Sequence, residues 1–417
     1  MGTPRLLEHL KHGASEEIRL DDGKGRRLVM DGHAALHRAA CRRGVAASLV
    51  LHNRVEALGY AVAREVRMCE RFSWRVTVVF DAPPPPSKRG TTVARLKQRD
   101  NARSKAIEAS GNCRDSLLVK AAHFSPHVVA RTACVLRSLI RGECVTSPHE
   151  ADGQLVMMQN YYLSRQPDEE VYIWANDSDV FVIGAVNLLW EVRGIGNGNK
   201  TFSGSCIRRR LLFRPSEQIL RDTERGEFLR RLHSITDRHA VVCFGPLLPH
   251  QEINERLLRV ACIAGNDHFN FSGVGWVTAS QIALDSDAQN LLSTPEVVHA
   301  LATATLNSPR FKEQMSVEEA GGLIWASRCM FLDPIVFNPT SGNQQHLSGI
   351  EGSDDVTRVT GPNVKVRRLV SAGRTCERGD AGLGNLLQKR VWQGHGVGSW
   401  KLQKGFGFSA CRSWVRL

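Results

Sequence analysis

Three features of this sequence predict an α/β fold with a central, mainly parallel sheet flanked by helices. Short β-branched and aromatic runs recur along the chain, each about one strand long. Segments of helical periodicity stand between them, as parallel strands joined by crossovers require. The runs also end in acid: residues 27–31 (RLVMD), 76–81 (VTVVFD), and 171–174 (VYIW) leading into Asn176-Asp177-Ser178-Asp179. In open α/β sheets ligands bind where strands end and the chain turns away from the core, so these acids mark the candidate site.

In chain order, residues 1–20 read as a short amphipathic helix with Leu6, Leu7 and Leu10 on one face, followed by a loop. Residues 34–63 are helical in pattern, interrupted near Gly44 and Gly59. Four prolines, Pro83 to Pro86, delay the helix after the second strand, and a basic stretch runs from Lys88 to Lys105. A helical segment at about 115–141 precedes Ser147-Pro148-His149-Glu150-Ala151-Asp152. Residues 188–192 are expected to pair beside 171–174, and residues 194–200, rich in Gly and Asn, to turn a hairpin. The basic segment 202–255 reads as a surface insertion. An apolar run at 257–265 enters Asn266-Asp267, and Gly273-Val274-Gly275 opens a helix to about Asp285. The sequence divides into regions at 1–110 and 111–285, C-terminal helices at 286–340, and a basic, glycine-rich, flexible tail at 341–417. No internal repeat is visible.

Composition narrows the function class. The chain of 417 residues is 42% hydrophobic and 23% charged, as a soluble globular protein is, and its net charge of +13 favours a polyanionic partner. Eleven scattered cysteines, none in a C-x-x-C, argue against a disulfide framework or structural zinc and for a reducing compartment. No run is long enough to span a membrane, and the first residues lack a signal-peptide core.

Asp31, Asp81, Glu150, Asp152, Asp177, Asp179 and Asp267 form the candidate constellation. Seven acids converging on one sheet edge repel one another unless cations neutralise them. Hard carboxylate oxygens suit Mg²⁺ or Mn²⁺, and a pair of such ions about 4 Å apart supports phosphodiester cleavage. Two plainer readings compete. Asn176–Asp179 is also good turn sequence. Ser147-x-x-Glu150 also fits a capping box with Pro148 at the first helical position, leaving Asp152 a first-turn acid.

Lys88, Arg95 and Arg99 are spaced i, i+7 and i+11 and share a helical face; as cations near the acids they suit a scissile phosphate. A solvated charged face is the plain alternative. Gly273-x-Gly275 ahead of a helix lets backbone approach phosphates, although many such pairs are only turns. Residues 194–201 nearly spell a P-loop, but Asn199 stands where the last glycine is required, which excludes it.

In order and spacing these motifs resemble the structure-specific 5′ nucleases, the flap endonuclease and exonuclease-1 superfamily. The resemblance covers about residues 1–285, through Met1-Gly2 with its early leucine-rich helix, VMDGHAALHRA, VVFDAPPPPSKRG, SPHEADGQL, NDSD and AGNDH with GVG. It implies a PIN-like domain with a helical arch over the site and a helix–two-turn–helix element. It implies that the seven acids hold two Mg²⁺, with Mn²⁺ as a substitute, and that Lys88 and Arg95 in the arch contact the scissile phosphate. Gly2, His37, Lys88, Arg95, Arg99, Gly273 and Gly275 are then the DNA-binding candidates. The implied protein is a nuclear monomer acting on 5′ flaps, nicks or recessed ends in DNA repair or recombination.

Three details favour the exonuclease-1 branch: Glu150-Ala151-Asp152 as E-x-D, His37 six residues after Asp31 where flap endonucleases carry a stacking tyrosine, and Pro86-Ser87-Lys88. The alternatives are a flap or XPG-type endonuclease and an inactive scaffold of the same fold; the presence of all seven acids speaks against the scaffold. The sequence departs from the pattern between Asp267 and Gly273, at Trp276, and in lacking a lysine or arginine after Gly275, which weakens the implied K⁺ site of the helix–two-turn–helix. No clamp-binding peptide is recognised.

Overall fold

The computed structural model describes residues 6–85, 88–193, 202–213, 232, 249–265, 269, 271–285, 295–332 and 334–347. Its centre is a seven-stranded sheet built from β1 (Ser15–Arg19), β2 (Arg26–Asp31), β3 (Arg75–Phe80), β4 (Glu143–Thr146), β5 (Glu170–Trp174), β6 (Asn187–Arg193) and β7 (Ser203–Arg208). The spatial order is β1-β7-β6-β5-β2-β3-β4. Five strands, β6 to β4, run parallel; β7 and β1 extend the sheet antiparallel.

The parallel strands require crossovers. From β2 the chain passes through α2 (Gly32–Ala40), α3 (Val45–His52) and α4 (Glu56–Arg71) to β3. Helices α5 (Arg89–Glu108), α6 (Gly111–Ala121) and α7 (Pro126–Leu139) join β3 to β4, and α8 (Ala151–Arg165) returns the chain to β5 on the other side of β2. The direction of winding therefore reverses between β2 and β5, which opens a crevice at their carboxyl ends.

Both faces of the sheet are covered, so its strands read as nearly continuous apolar runs. Met30, Val78, Phe80 and Trp174 face a core shared with Leu36, Leu58, Val62 and Leu136. Val29, Val79, Val171 and Ile173 point the other way, into a core with Leu155, Phe181, Leu257 and Leu301. Burying each such side chain contributes roughly 1.5–3 kcal/mol. The second layer comprises α1 (Leu6–Ala14), α8, α9 (Asp179–Ile183), α10 (Arg209–Phe213), α11 (Pro249–Ala264), α12 (Trp276–Asp285), α13 (Pro295–Leu306) and α14 (Val317–Leu332). A hairpin of β8 (Ile335–Phe337) and β9 (Gln344–His346) follows.

Several expectations need correction. Residues 15–19 form an edge strand rather than a loop. The helical run 34–63 breaks at Gly44, whose φ is +78°, and at Asn53, whose φ is +51°, but not at Gly59. Gly59 lies within α4 because a Cβ there would come 2.7 Å from Val135. The segment 115–141 is two helices, divided where Ser125 caps Pro126–Leu139. Residues 203–208 belong to the main sheet rather than to a surface insertion, while 214–248 lie, apart from Leu232, outside the described residues. The apolar run 257–265 is helical, and an end of the folded part at 340 would remove β9. The 194–200 turn and the tail beyond Leu347 also lie outside the described residues.

Candidate active site

The strand ends place the acids. Asp31 closes β2 and caps α2, accepting from the backbone N–H of His33 at 2.8 Å and of Ala34 at 3.1 Å. Asp81 follows β3 and accepts from Ala151 N–H at 2.7 Å, which ties the β3 end to the start of α8. Asp177, in the loop after β5, accepts from the N–H of Asp179 at 3.0 Å, and Asp179 begins α9 as a buried residue.

The capping-box reading of Ser147–Glu150 fails. Ser147 Oγ donates to the carbonyls of Phe80 and His149, and Pro148 lies outside the helix. Glu150 itself occupies the N-cap position of α8 without a side-chain capping bond and receives Lys88 Nζ at 2.5 Å. Asp152 lies in the first turn, two residues after Glu150.

Electrostatics show that these groups converge. Burial, then the charge of Asp81, raises the Asp31 carboxyl to about 6 despite His33 and Arg38. Burial, then Glu150, raises Asp81 to about 7, with Asp177 adding to the rise and Lys88 opposing it. Asp152 is pushed well up by burial, then by Asp177 and Glu150, with Asp31 contributing. Asp179 lines a common pocket with Glu150 and Asp152. Six of the seven acids thus meet at one edge. Asp267 lies outside the described residues, as does Gly2.

The basic candidates divide. Lys88 is nearly buried at the N-cap of α5, its ammonium committed to Glu150. Arg95 and Arg99 follow along the helix, half-buried, and the charge of Arg99 bears on His33, His37 and His123. His37 is exposed but stands edge-on to Phe124, with ring centroids 4.8 Å apart. Desolvation, then His33, Arg99 and Arg95, lowers it to about 4, so it does not gain charge as pH falls towards 6, contrary to the behaviour of a free imidazole. Gly273 is required by packing: its φ is +85° and a Cβ would strike the Arg310 carbonyl at 1.9 Å. Gly275 faces open space, and its carbonyl accepts from Ala279 N–H at the start of α12.

Two residues beside the acids, His33 and Arg38, are not singled out by the sequence. His33 Nδ1 accepts from Asp81 N–H at 3.3 Å and lies 3.2 Å from Asp81 Oδ2. An accepting Nδ1 is unprotonated, in keeping with a pKa lowered chiefly by burial. The D-G-H triplet was the available signal. Arg38 stacks on Trp174 with its guanidinium carbon 4.1 Å from the ring centroid, and its Nε donates to buried Glu65 at 2.8 Å; nothing in the local sequence announces this contact.

Among the described residues, no three His, Cys, Asp or Glu side chains stand close enough to hold one ion in this arrangement. Each acid is drawn instead to a donor of its own neighbourhood: Asp31 to the α2 N–H groups, Asp81 to Ala151, Glu150 to Lys88. The donor set nevertheless fits a hard divalent cation. Every ligand candidate is a carboxylate, and like-charged neighbours add to burial in raising Asp31, Asp81 and Asp152.

No family model matches the chain. Among curated proteins it is similar to exodeoxyribonuclease 1 of Schizosaccharomyces pombe, 28% identical over 211 residues, 47% of this chain and 34% of that protein. It is also similar to exonuclease 1 of Drosophila melanogaster, 25% identical over 191 residues, 44% of this chain and 25% of that protein. The matched part thus spans about a third or less of these two relatives. Among solved structures, the catalytic core of Rad2 with a DNA substrate aligns over 87% of this chain and 96% of that one at 13% identity, with a TM-score of 0.45. Human GEN1 in complex with Holliday junction DNA aligns over 79% and 73% at 12% identity, with a TM-score of 0.41. These structural likenesses are too loose to carry an argument. In sequence the chain is thus similar to exonuclease-1 proteins, at under 30% identity and over less than half of its length.

Proposed function

We propose that this chain is a Mg²⁺-dependent, structure-specific 5′ nuclease that acts on DNA, a 5′→3′ exonuclease with 5′-flap endonuclease activity serving repair or recombination in the nucleus. The supporting observation is the meeting of six acids at the carboxyl edge of the sheet, where burial and then neighbouring like charge raise Asp31, Asp81 and Asp152. Asp31, Asp81, Glu150, Asp152, Asp177 and Asp179, together with Asp267, would hold two Mg²⁺. Bound there, the ions supply an activated water and stabilise the departing oxygen. Mn²⁺ is expected to substitute.

The chain's own residues supply orientation. Arg95 and Arg99 on α5 are placed to bind the scissile phosphate and hold it against the acid cluster. Lys88 joins them when Glu150 turns from its ammonium to a cation. His37, exposed and held edge-on against buried Phe124, offers a neutral imidazole to a base or sugar next to the cut. Gly273 shapes the turn ahead of α12, and Gly275 leaves that turn open for a backbone approach to the duplex. K⁺ binding there is not part of the proposal. The active species is a monomer.

The test is product length on recessed, nicked and 5′-flap duplexes with Mg²⁺ or EDTA. Stepwise release of short products from recessed and nicked ends, abolished by EDTA, is expected. Single-cut release of intact flaps with little activity at nicks would move the protein to the flap-endonuclease branch. Absence of any cleavage would favour the scaffold reading.

A further inference from the structure

Helix α8 carries Glu150 and Asp152, and the residues that follow them are gripped by the C-terminal hairpin. Gln154 is fully buried; its Nε2 donates to the Phe337 carbonyl at 3.0 Å and its Oε1 accepts from the Phe337 N–H at 2.6 Å. The side-chain amide therefore pairs with β8 as a neighbouring strand would. Gly153 meets the same segment more closely: a Cβ there would lie 2.5 Å from Cγ of Pro334 and 3.2 Å from Cγ1 of Val336. Leu347 N–H donates to the Pro334 carbonyl at 3.0 Å, and β9 pairs back on β8. Met330, Phe331, Pro334 and Ile335 share one pocket lining with Glu150, Asp152 and Asp179.

We infer that the β8–β9 hairpin is a positioning element for the two acids of α8, acting through Gln154 and Gly153. This rests on the metal-dependent nuclease reading. A helix turns about 100° and rises about 1.5 Å per residue, so a grip on residues 153 and 154 sets the direction and height of the carboxylate at 152. The paired amide fixes the helix along β8, and the missing Cβ lets it approach Pro334. Met330, Phe331, Pro334 and Ile335 form the apolar side of the acid pocket. Misplacing a reacting group by about 1 Å costs roughly 10²-fold in rate, so a clamp remote from the phosphate can govern turnover.

The test uses the full chain carrying Gln154→Leu, Gly153→Ala, or Gly153→Ala combined with Pro334→Gly. Three quantities are measured: the metal-free melting temperature, Mn²⁺ binding by calorimetry without DNA, and single-turnover cleavage of a recessed duplex at saturating DNA. Gln154→Leu and Gly153→Ala are expected to weaken Mn²⁺ binding about tenfold and to slow cleavage roughly 10²-fold. Adding Pro334→Gly to Gly153→Ala removes the obstructing atoms and should recover most of both. Alanine normally favours a helix interior over glycine, so a loss at residue 153 reflects the clamp rather than helix formation. If Gln154→Leu fails to fold, the Gly153 pair decides. Variants that bind Mn²⁺ and cleave as wild type does, or losses that follow melting temperature without rescue, overturn the inference and leave the nuclease reading intact. A wild-type chain that neither binds Mn²⁺ nor cleaves overturns both.

Discussion

The two ends of the central sheet treat charge in opposite ways. At the amino edge every prominent acid meets an arginine. Glu169, almost wholly buried, lies 3.2 Å from Arg27 and 3.1 Å from Arg75, and Glu170 lies 2.9 Å from Arg26. Arg208 bridges Glu16 and Glu170 and donates to the Tyr172 hydroxyl. Burial works to raise the Glu170 carboxyl, but Tyr172 and Arg26 outweigh it and hold it below its ordinary value. At the carboxyl edge acids of like charge are gathered, and burial and then neighbouring acids raise the Asp31, Asp81 and Asp152 carboxyls. The first arrangement is complete in itself and holds strands together. The second concentrates buried like charge, the arrangement that the proposed divalent cations would neutralise.

This contrast can be broken from either end. The largest effect is expected at the carboxyl edge: Asp177→Ala should lower Mg²⁺-dependent cleavage by roughly 10²–10³-fold or more while DNA binding, read by gel shift, persists. Full activity would remove the acid cluster from the chemistry. Lys88→Ala and Arg95→Ala should each slow single-turnover cleavage at saturating DNA by roughly 10²-fold. If only affinity and its salt dependence change, these residues are ordinary phosphate contacts. At the amino edge, Glu169→Ala leaves Arg27 without its buried partner and should cost about 3 kcal/mol of stability in denaturant unfolding, with no change in rate per folded molecule.

Smaller effects sharpen the comparison. Without metal, Asp31 and Asp81 keep protons to about pH 6 and about pH 7, whereas unfolded carboxylates lose theirs near 4. Between these limits the folded state binds more protons, so stability falls as pH rises through the window. The metal-free melting temperature should be a few degrees higher at pH 5.5 than at pH 8, on the order of 2–4 °C per kcal/mol. Saturating Mg²⁺ should flatten that slope, and a metal-free protein most stable at pH 8 would contradict the assignment. His37→Ala should slow cleavage least of all, and equally at pH 6 and pH 8, because the imidazole is already neutral.

The parts of this fold visible in the sequence are those in which one periodicity settles the matter. β2, β3 and β5 are buried on both faces and read as apolar runs, and the acids are visible because they stand where those runs stop. β1, with sequence SEEIR, is not visible, since an edge strand half open to solvent needs no apolar alternation. Gly59 misleads because its reason is Val135, 76 residues away. The capping box at Ser147 is locally sound and tertiary contacts override it: the hydroxyl serves the β3 carbonyl and Glu150 meets Lys88. Asp31, Asp81, Glu150, Asp152, Asp177 and Asp179 were all legible in sequence as one site. His33, Arg38 and the Gln154 clamp were not, because their partners stand 48, 27 and 183 residues away.

The central claim is that the acids at the carboxyl edge exist to hold divalent cations. Anomalous diffraction from crystals soaked in Mn²⁺ tests this directly. Two peaks about 4 Å apart among Asp31, Asp81, Glu150, Asp152, Asp177 and Asp179, with Lys88 displaced from Glu150, are the predicted result. An edge that stays free of Mn²⁺ at saturating concentration, with Lys88 still on Glu150, would contradict the account.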